Sequence, residues 1–150
     1  MVAKRANVHG IALAQKISGA TLPVQGDPGQ LQQVLLNLLN NAMDAALERH
    51  GTEGGCVEIQ AAVSNSDGQS ITLSVKDNGI GISEEDKKKI FSPFFTTKPV
   101  GKGTGLGLSV CYGIVEGMGG RMEFTSKHGV GSVFSIHLPA GRHNEPPESV

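Results

Sequence analysis

The segment ITLSVKDNGIGI, residues 71–82, decides the fold because it joins a strand pattern to a glycine-rich turn. Its first seven residues alternate apolar and polar side chains, with the period of two that is typical of a strand with one buried face. The alternation places Asp77 on the buried face with Val75, where a carboxylate is costly unless it has a partner. Two interpretations stay open: Asp77 bonds the amides of its own turn, or it bonds a ligand that enters beside the glycines.

Other segments with the same alternation predict the remaining strands of the sheet. They are residues 9–17, 57–63, 121–126 and 132–138, with a further short extended piece at 22–25. Turn-forming residues at 64–68 and 129–131 predict two antiparallel hairpins. On the last strand Ser132 shares a face with the apolar residues that follow it, so it is able to bond the same carboxylate or ligand as Asp77.

A long amphipathic helix is predicted from an N-cap at Asp27 to about Arg49, because apolar residues recur between them at helical spacing. Asn37, Asn41 and Asp44 line one stripe of this helix. Asparagine is a poor residue for a helix interior, so the stripe is either a solvated face or a set of oxygen ligands for a hard cation such as magnesium.

A glycine-rich segment, residues 101–108 (GKGTGLGL), opens another helix, which is predicted to begin at Thr104 and to end in the glycines at 117–120. The apolar residues of this helix are Leu106, Val110, Ile114 and Met118. The free amides and the dipole of a helix N-terminus favour phosphate, and Lys98 and Lys102 add positive charge just before it. The spacing fits neither a P-loop nor a dinucleotide fingerprint.

Between these elements the sequence predicts a short acidic helix from a cap at Ser83 to about Ile90, followed by a flexible loop over residues 91–103. The whole pattern predicts an α/β (α+β) two-layer sandwich, in which about three helices cover one face of a mixed, mostly antiparallel sheet. We expect a linker at residues 1–8, one domain at 9–139 and a polar tail at 140–150.

The composition is that of one soluble globular domain of 150 residues with a formal net charge of −1. The balanced charge argues against a nucleic-acid surface, and no apolar run is long enough to span a bilayer. Cys56 and Cys111 lie far apart and are predicted to be reduced thiols, while the five histidines lack the spacing of a zinc site.

In this order the segments closely resemble the ATP-binding catalytic domain of sensor histidine kinases. That domain has the Bergerat fold and is related to DNA gyrase, the ninety-kilodalton heat-shock chaperone and the mismatch-repair ATPase. The matching segments are 37–42 (NLLNNA, the N box), 77–81 (DNGIG, the first glycine box), 91–98 (FSPFFTTK, the F box), 103–108 (GTGLGL, the second glycine box) and 129–132 (GVGS, the last glycine motif). The F box is similar to that of the nitrogen-regulation subtype in particular.

The resemblance implies a site for ATP and Mg²⁺. Asn41 would bind the magnesium with support from Asn37, Asp77 would read the exocyclic amino group of adenine, and the segment 91–104 would form a lid that nucleotide orders. The expected catalytic residues are Asn37, Asn41 and Lys98. The expected nucleotide-binding residues are Asn41, Asp77, Gly79, Gly81, Ile82, Lys98, Lys102, Gly103, Thr104, Gly105, Leu106, Gly107, Leu108 and Ser132.

One position separates the activities of the superfamily. Asn37 stands where its ATPases and related serine kinases place a glutamate base, and an amide cannot accept a proton, whereas an imidazole is already nucleophilic near neutral pH. We therefore predict phosphoryl transfer to histidine. The alternatives are a conformational ATPase of the same (GHKL) superfamily, which would hydrolyse ATP slowly, and a nucleotide-sensing module that binds ATP without transferring it.

The chain itself offers no suitable acceptor, since none of its histidines precedes Asp or Glu and none falls on a predicted long helix. The resemblance implies an acceptor on a separate histidine-bearing dimerisation domain and a response regulator as the next partner. We expect this chain to bind ATP and ADP as a monomer without phosphorylating itself. We also expect it to be cytoplasmic, within a parent protein that is either free or membrane-anchored, and to make no direct contact with membrane or nucleic acid.

Overall fold

The computed structural model of the protein describes residues 11–17, 28–51, 53–63, 70–92 and 107–139. In chain order the elements are β1 (Ala12–Ile17), α1 (Pro28–His50), β2 (Cys56–Val63), β3 (Ser70–Asp77), α2 (Glu84–Lys87), α3 (Gly107–Gly117), β4 (Arg121–Lys127) and β5 (Gly131–Pro139). The predicted strand at 22–25, the N-cap at Asp27, the turn at 64–68 and the flanking segments lie outside the described residues.

The five strands form one sheet in the order β1-β2-β3-β5-β4. The β1–β2 pair is parallel and the other three pairs are antiparallel. The predicted mixed, mostly antiparallel sheet with helices on one face is therefore confirmed. In the part of the chain that the structure describes, no helix is both long enough and apolar enough to cross a membrane.

Helix α1 is the main element of the helical layer. Its side chains Val34, Leu38, Ala42, Met43 and Ala46 are almost completely buried, at the three- and four-residue spacing of one helix face. They pack in one core with inward-facing residues of β3 and β5, such as Val75 and Ile136. Each large aliphatic side chain buried in this way stabilises the fold by about 1.5–3 kcal/mol.

The buried face of α3 differs from the predicted one. Cys111 and Val115 are fully buried, with Leu108 and Met118 beside them, whereas Val110 is 38% exposed. Residues at a strict four-residue spacing drift around a helix by about 40° per step, so the predicted set does not follow one face. Ile114 and Met118 pack against the core, whereas Val110 turns away from it. The true stripe is centred on Cys111, a small residue that contacts α1.

The short helix α2 is also shorter than predicted. The Ser83 hydroxyl accepts a hydrogen bond from the Asp86 amide at 3.2 Å, as expected of an N-cap. The helix ends at Lys87, and three-residue turns follow, in which the Lys89 amide donates to Asp86 and the Ser92 amide donates to Lys89. These tighter turns bring Ile90 into the core, where it is 5% exposed.

Gly79 allows the turn after β3 to lie directly on α1. A Cβ atom added at Gly79 would overlap the backbone of Ala45, and the Ile80 amide donates to the Ala45 carbonyl at 3.2 Å. We predict that Gly79→Ala lowers the free energy of unfolding by about 1–3 kcal/mol, because the turn and helix must separate.

The matched control is Gly113→Ala on α3, where an added Cβ meets nothing within 4 Å. This variant should stabilise the protein by about 0.5–1 kcal/mol, since a helical glycine loses more chain entropy on folding than alanine. Urea denaturation of both variants measures the difference. Equal stability of the two would show that Gly79 is not needed for the contact with α1.

Candidate functional site

Asp77 is buried at the last position of β3. It is 6% exposed, and its Oδ1 accepts a hydrogen bond from the Gly79 amide at 2.8 Å. Ser132 lies directly opposite on β5, and its backbone also hydrogen-bonds the carboxylate. Burial raises the pKa of Asp77 from about 3.8 to about 6, although the two hydrogen bonds act to lower it. The carboxylate therefore bonds its own turn and still carries a large cost of desolvation.

A pair of serines connects this carboxylate to the next loop. The hydroxyls of Ser132 and Ser126 lie 2.7 Å apart, and Ser126 Oγ also accepts a hydrogen bond from the Ile82 amide at 2.8 Å. The hydroxyl of Ser132 thus faces Ser126, while its backbone faces Asp77. Ser126 was not among the predicted site residues. The sequence indicates it only through its position on the same face of β4 as Phe124.

The glycines of the two loops allow backbone to touch backbone. A Cβ atom at Gly81, which has φ +71°, would overlap the carbonyl of Lys127, and one at Gly131 would overlap the carbonyl of Asp77. The Gly129 amide donates to the carbonyl of Ile80 at 2.6 Å. The glycine-rich turn after β3 and the β4–β5 turn are therefore packed together, and Asp77 lies where they meet.

Asn78 anchors the first of these loops to the start of β2. Its Oδ1 accepts from the Cys56 amide at 2.8 Å, and its Nδ2 donates to the Gly54 carbonyl at 2.9 Å. Its own carbonyl is contacted by Arg49 Nη1 at 3.0 Å and by His50 Nε2 at 2.8 Å. Helix α1 extends one residue beyond its predicted end, so His50 does lie on the long helix, at its last position.

The polar stripe of α1 is half-buried, which argues against a fully solvated face. Asn37, Asn41 and Asp44 are all of intermediate exposure. The side chain of Asn37 hydrogen-bonds the thiol of Cys111, whose pKa is raised by burial. An open groove of about 470 Å³ lies along α1, and its lining residues are Gly29, Gln32, Gln33, Leu36, Asn37 and Asn40.

Several further predicted site positions are among the described residues. Asn41 lies one turn before Ala45, whose backbone contacts Gly79 beside Asp77. Ile82 and Leu108 are half-buried against the core, and Gly107 begins α3 beside open space, since an added Cβ meets nothing within 4 Å. Across the described ranges there is no cluster of three acidic, histidine or cysteine side chains able to hold a metal.

Part of the predicted site lies outside the described residues. These positions are Lys98, Lys102, Gly103, Thr104, Gly105 and Leu106. Of the F box only Phe91 and Ser92 are described. Phe91 packs on Tyr112 and Phe124, with ring centroids 5.1 and 5.6 Å apart, so the segment begins at a fixed aromatic anchor on the core.

Comparison with known proteins gives the family. The model of the "histidine kinase-, DNA gyrase B-, and HSP90-like ATPase" family matches residues 26–142. The chain belongs to this ATPase family. It is 36% identical over 148 residues to the sensor histidine kinase ZraS of Escherichia coli, a match that covers 99% of this chain and 30% of that protein.

Solved structures agree with this family. The nucleotide-free catalytic domain of the histidine kinase ThkA has a TM-score of 0.76 and 35% identity, with 91% of this chain and 85% of that one covered. Full-length ShkA in complex with AMPPNP has a TM-score of 0.77 and 29% identity, with 97% and 29% covered. The chain is therefore homologous to the catalytic domains of sensor histidine kinases and spans less than a third of the length of ZraS.

The burial of Asp77 leads us to predict an unusual pH dependence for the stability of the protein without nucleotide. Because folding raises the pKa of this carboxyl, its protonated form favours the folded state. Stability should therefore fall as the pH rises from about 4 through about 6, by roughly 3 kcal/mol from this group alone.

Denaturation of the chain and of Asp77→Asn across this pH range measures the effect. The variant keeps an acceptor for the Gly79 amide but has no charge to desolvate, so it should be the more stable protein above pH 6 and lack this slope. A variant that is less stable than the natural chain at neutral pH would contradict a net cost of the buried charge.

Proposed function

We propose that this chain binds ATP with Mg²⁺ and presents the γ-phosphoryl group to a histidine on a separate dimerisation domain. The observation that carries the proposal is Asp77, whose charge is costly to bury. The resemblance to histidine kinase catalytic domains, and the AMPPNP bound by ShkA, support a nucleotide as the ligand that offsets this cost.

Asp77 would recognise adenine. With a pKa of about 6 it is mostly ionised at neutral pH, so it accepts hydrogen bonds and is suited to the exocyclic amino group of the base. Gly79 and Ser132 hold the carboxylate by backbone hydrogen bonds, which fixes its orientation before the ligand arrives. Ile82, half-buried at the edge of the core, would provide an apolar wall for the ring.

The phosphates would lie between α1 and the start of α3. Amide oxygens suit magnesium, and the half-buried Asn41 would provide one, with Asn37 beside it. A bound Mg²⁺ would offset the charge of the phosphates. The amides at the N-terminus of α3, near Gly107, and the lid residues Lys98 and Lys102 would do the same for the oxygens that magnesium does not reach.

Transfer to histidine is favoured over hydrolysis by the residue types on α1. Asn37 carries an amide and its side chain is already engaged with Cys111, so it cannot act as a base on water. An imidazole needs no such base near neutral pH. The work of the chain is then to bind and orient ATP, and the incoming partner supplies the nucleophile.

The proposed setting is a two-component system in the cytoplasm. The histidine-bearing domain of the parent protein would receive the phosphoryl group and pass it to a response regulator. This chain would act as a monomer, since the dimer contact is expected in the separate domain. The similarity of its F box to the nitrogen-regulation subtype is part of the same proposal.

The adenine pocket is tested by calorimetric titration with ADP. The chain should bind ADP, and Asp77→Asn should bind it at least about tenfold more weakly, because the amide presents a donor as well as an acceptor to the base. The Gly113→Ala variant serves as the control for a change outside the site. Equal affinities for the chain and Asp77→Asn would contradict the assignment of adenine recognition to this carboxylate.

The metal assignment is tested by the same titration with and without Mg²⁺. Magnesium should tighten ATP binding by the natural chain, and Asn41→Ala should remove most of this gain while leaving metal-free binding nearly unchanged. Gln32→Ala, on the same helix, is the matched control. Loss of binding in Asn41→Ala without magnesium as well would assign Asn41 to the nucleotide or to folding instead of the metal.

Phosphoryl transfer is tested with labelled ATP. The chain alone should take up no acid-labile phosphate, and a histidine-bearing dimerisation domain from a related sensor kinase should become labelled when the chain is added. Stable labelling of the isolated chain would contradict the need for a separate acceptor. Release of inorganic phosphate that depends on Asn37, without labelling of the partner, would favour a conformational ATPase.

A further inference from the structure

The C-terminal turn of α1 contacts both loops that enclose Asp77. Arg49 Nη1 donates to the carbonyl of Asn78 at 3.0 Å and to the carbonyl of Val130 at 2.7 Å. Asn78 follows Asp77 directly, and Val130 lies two residues before Ser132. One guanidinium therefore joins the loop that follows Asp77 to the loop that precedes Ser132.

The Asp77–Ser132 pair is the last one of the β3–β5 ladder, so β3–β5 pairing does not connect the two loops that lie beyond it. Among the described residues, the Gly129–Ile80 backbone bond links these two loops directly, and the Ile82 amide links the first loop to Ser126 on β4. The contribution of Arg49 is distinct because a permanently charged donor bonds carbonyls more strongly than a neutral one.

Arg49 also lies one turn beyond Ala45, the residue of α1 whose backbone contacts Gly79. Ala45 in turn lies one turn beyond Asn41, the proposed magnesium ligand. The helix that carries the proposed magnesium ligand therefore also fixes the two loops around the proposed adenine ligand. His50 adds a second contact to the Asn78 carbonyl at 2.8 Å.

We infer that Arg49 is a positioning residue for adenine recognition, which acts by holding the Asn78 and Val130 carbonyls and so the spacing of Asp77 and Ser132. The inference rests on the proposed function. If the loops separate, the backbone of Ser132 withdraws from the carboxylate and Asp77 turns, and a hydrogen bond to a base tolerates only a few tenths of an ångström.

The position of Arg49 makes this role separable from a role in folding. Its side chain is exposed and both acceptors belong to loops, so its removal opens no cavity in the core. The expected effect therefore falls mainly on nucleotide affinity, with little change in the thermal midpoint of the nucleotide-free protein.

The test compares ADP binding by the chain, Arg49→Met, Arg49→Lys and the matched control Arg121→Met. Arg121 is also exposed and contacts Glu123 at 3.0 Å on the outer face of the sheet, away from the loops. We expect Arg49→Met to weaken ADP binding by about three- to tenfold. Arg49→Lys, which restores one charged donor, should recover part of the loss, and Arg121→Met should bind like the natural chain.

A pH series gives a readout that a purely structural role would not change. The hydrogen bond from the Ser132 backbone lowers the pKa of Asp77, so loosening of the loops in Arg49→Met should raise that pKa further above its ordinary value. The pH below which ADP binding declines should then move upward in Arg49→Met and stay in place in Arg121→Met.

The outcomes separate this inference from the function on which it rests. Binding of ADP by Arg49→Met with the affinity and pH midpoint of Arg121→Met would overturn the inference and leave the proposed function intact. A fall in thermal midpoint that accounts for the whole loss of affinity, without recovery in Arg49→Lys, would also overturn it. No binding of ADP by the natural chain would overturn both.

Discussion

The burial of one carboxylate at the end of a central strand is the constraint on which the site depends. Asp77 lies among apolar residues of β3 and β5, where an ion loses most of its hydration. Two backbone hydrogen bonds compensate only in part, and the pKa therefore stays high, at about 6. A carboxylate that is costly to bury is better explained by a role in ligand binding than by a role in stability.

The turns around Asp77 hold its carboxylate at the point where the pairing of β3 with β5 ends. Glycines let the turn after β3 lie on α1 and on the β4–β5 turn, where any side chain would overlap a backbone. The side chains of Asn78, Ser126 and Arg49 then join these turns to the start of β2, to β4 and to α1. These contacts form the frame that is proposed for the base, and the phosphates are assigned in the same proposal to α1 and the start of α3.

Helix α1 contributes both to the core and to the proposed site. Its inner face forms the core through Val34, Leu38 and Met43. The same helix carries Asn41, which is assigned to the proposed magnesium site, and Arg49, which contacts the loops beside Asp77. Stability and site geometry are therefore carried by the same 23-residue element. Substitutions on its buried face are expected to affect both, whereas substitution of the exposed Arg49 is expected to affect mainly nucleotide binding.

The strands, α1 and the buried position of Asp77 were predictable because hydrophobic periodicity reports which face is buried. The centre of the α3 interface was not predictable in this way. It is Cys111, and the prediction for this helix considered only its large apolar residues. Ser126, Asn78 and Arg49 were missed for a different reason. Their partners are backbone groups distant in the chain, and no local pattern encodes such contacts.

The central claim is that Asp77 is buried in order to read the amino group of adenine. It is tested most directly by titrating the natural chain with adenosine diphosphate and with inosine diphosphate, which carries a carbonyl oxygen in place of that amino group. The account predicts binding of the adenosine nucleotide and an affinity at least about tenfold lower for the inosine nucleotide. Equal affinity for the two would contradict it.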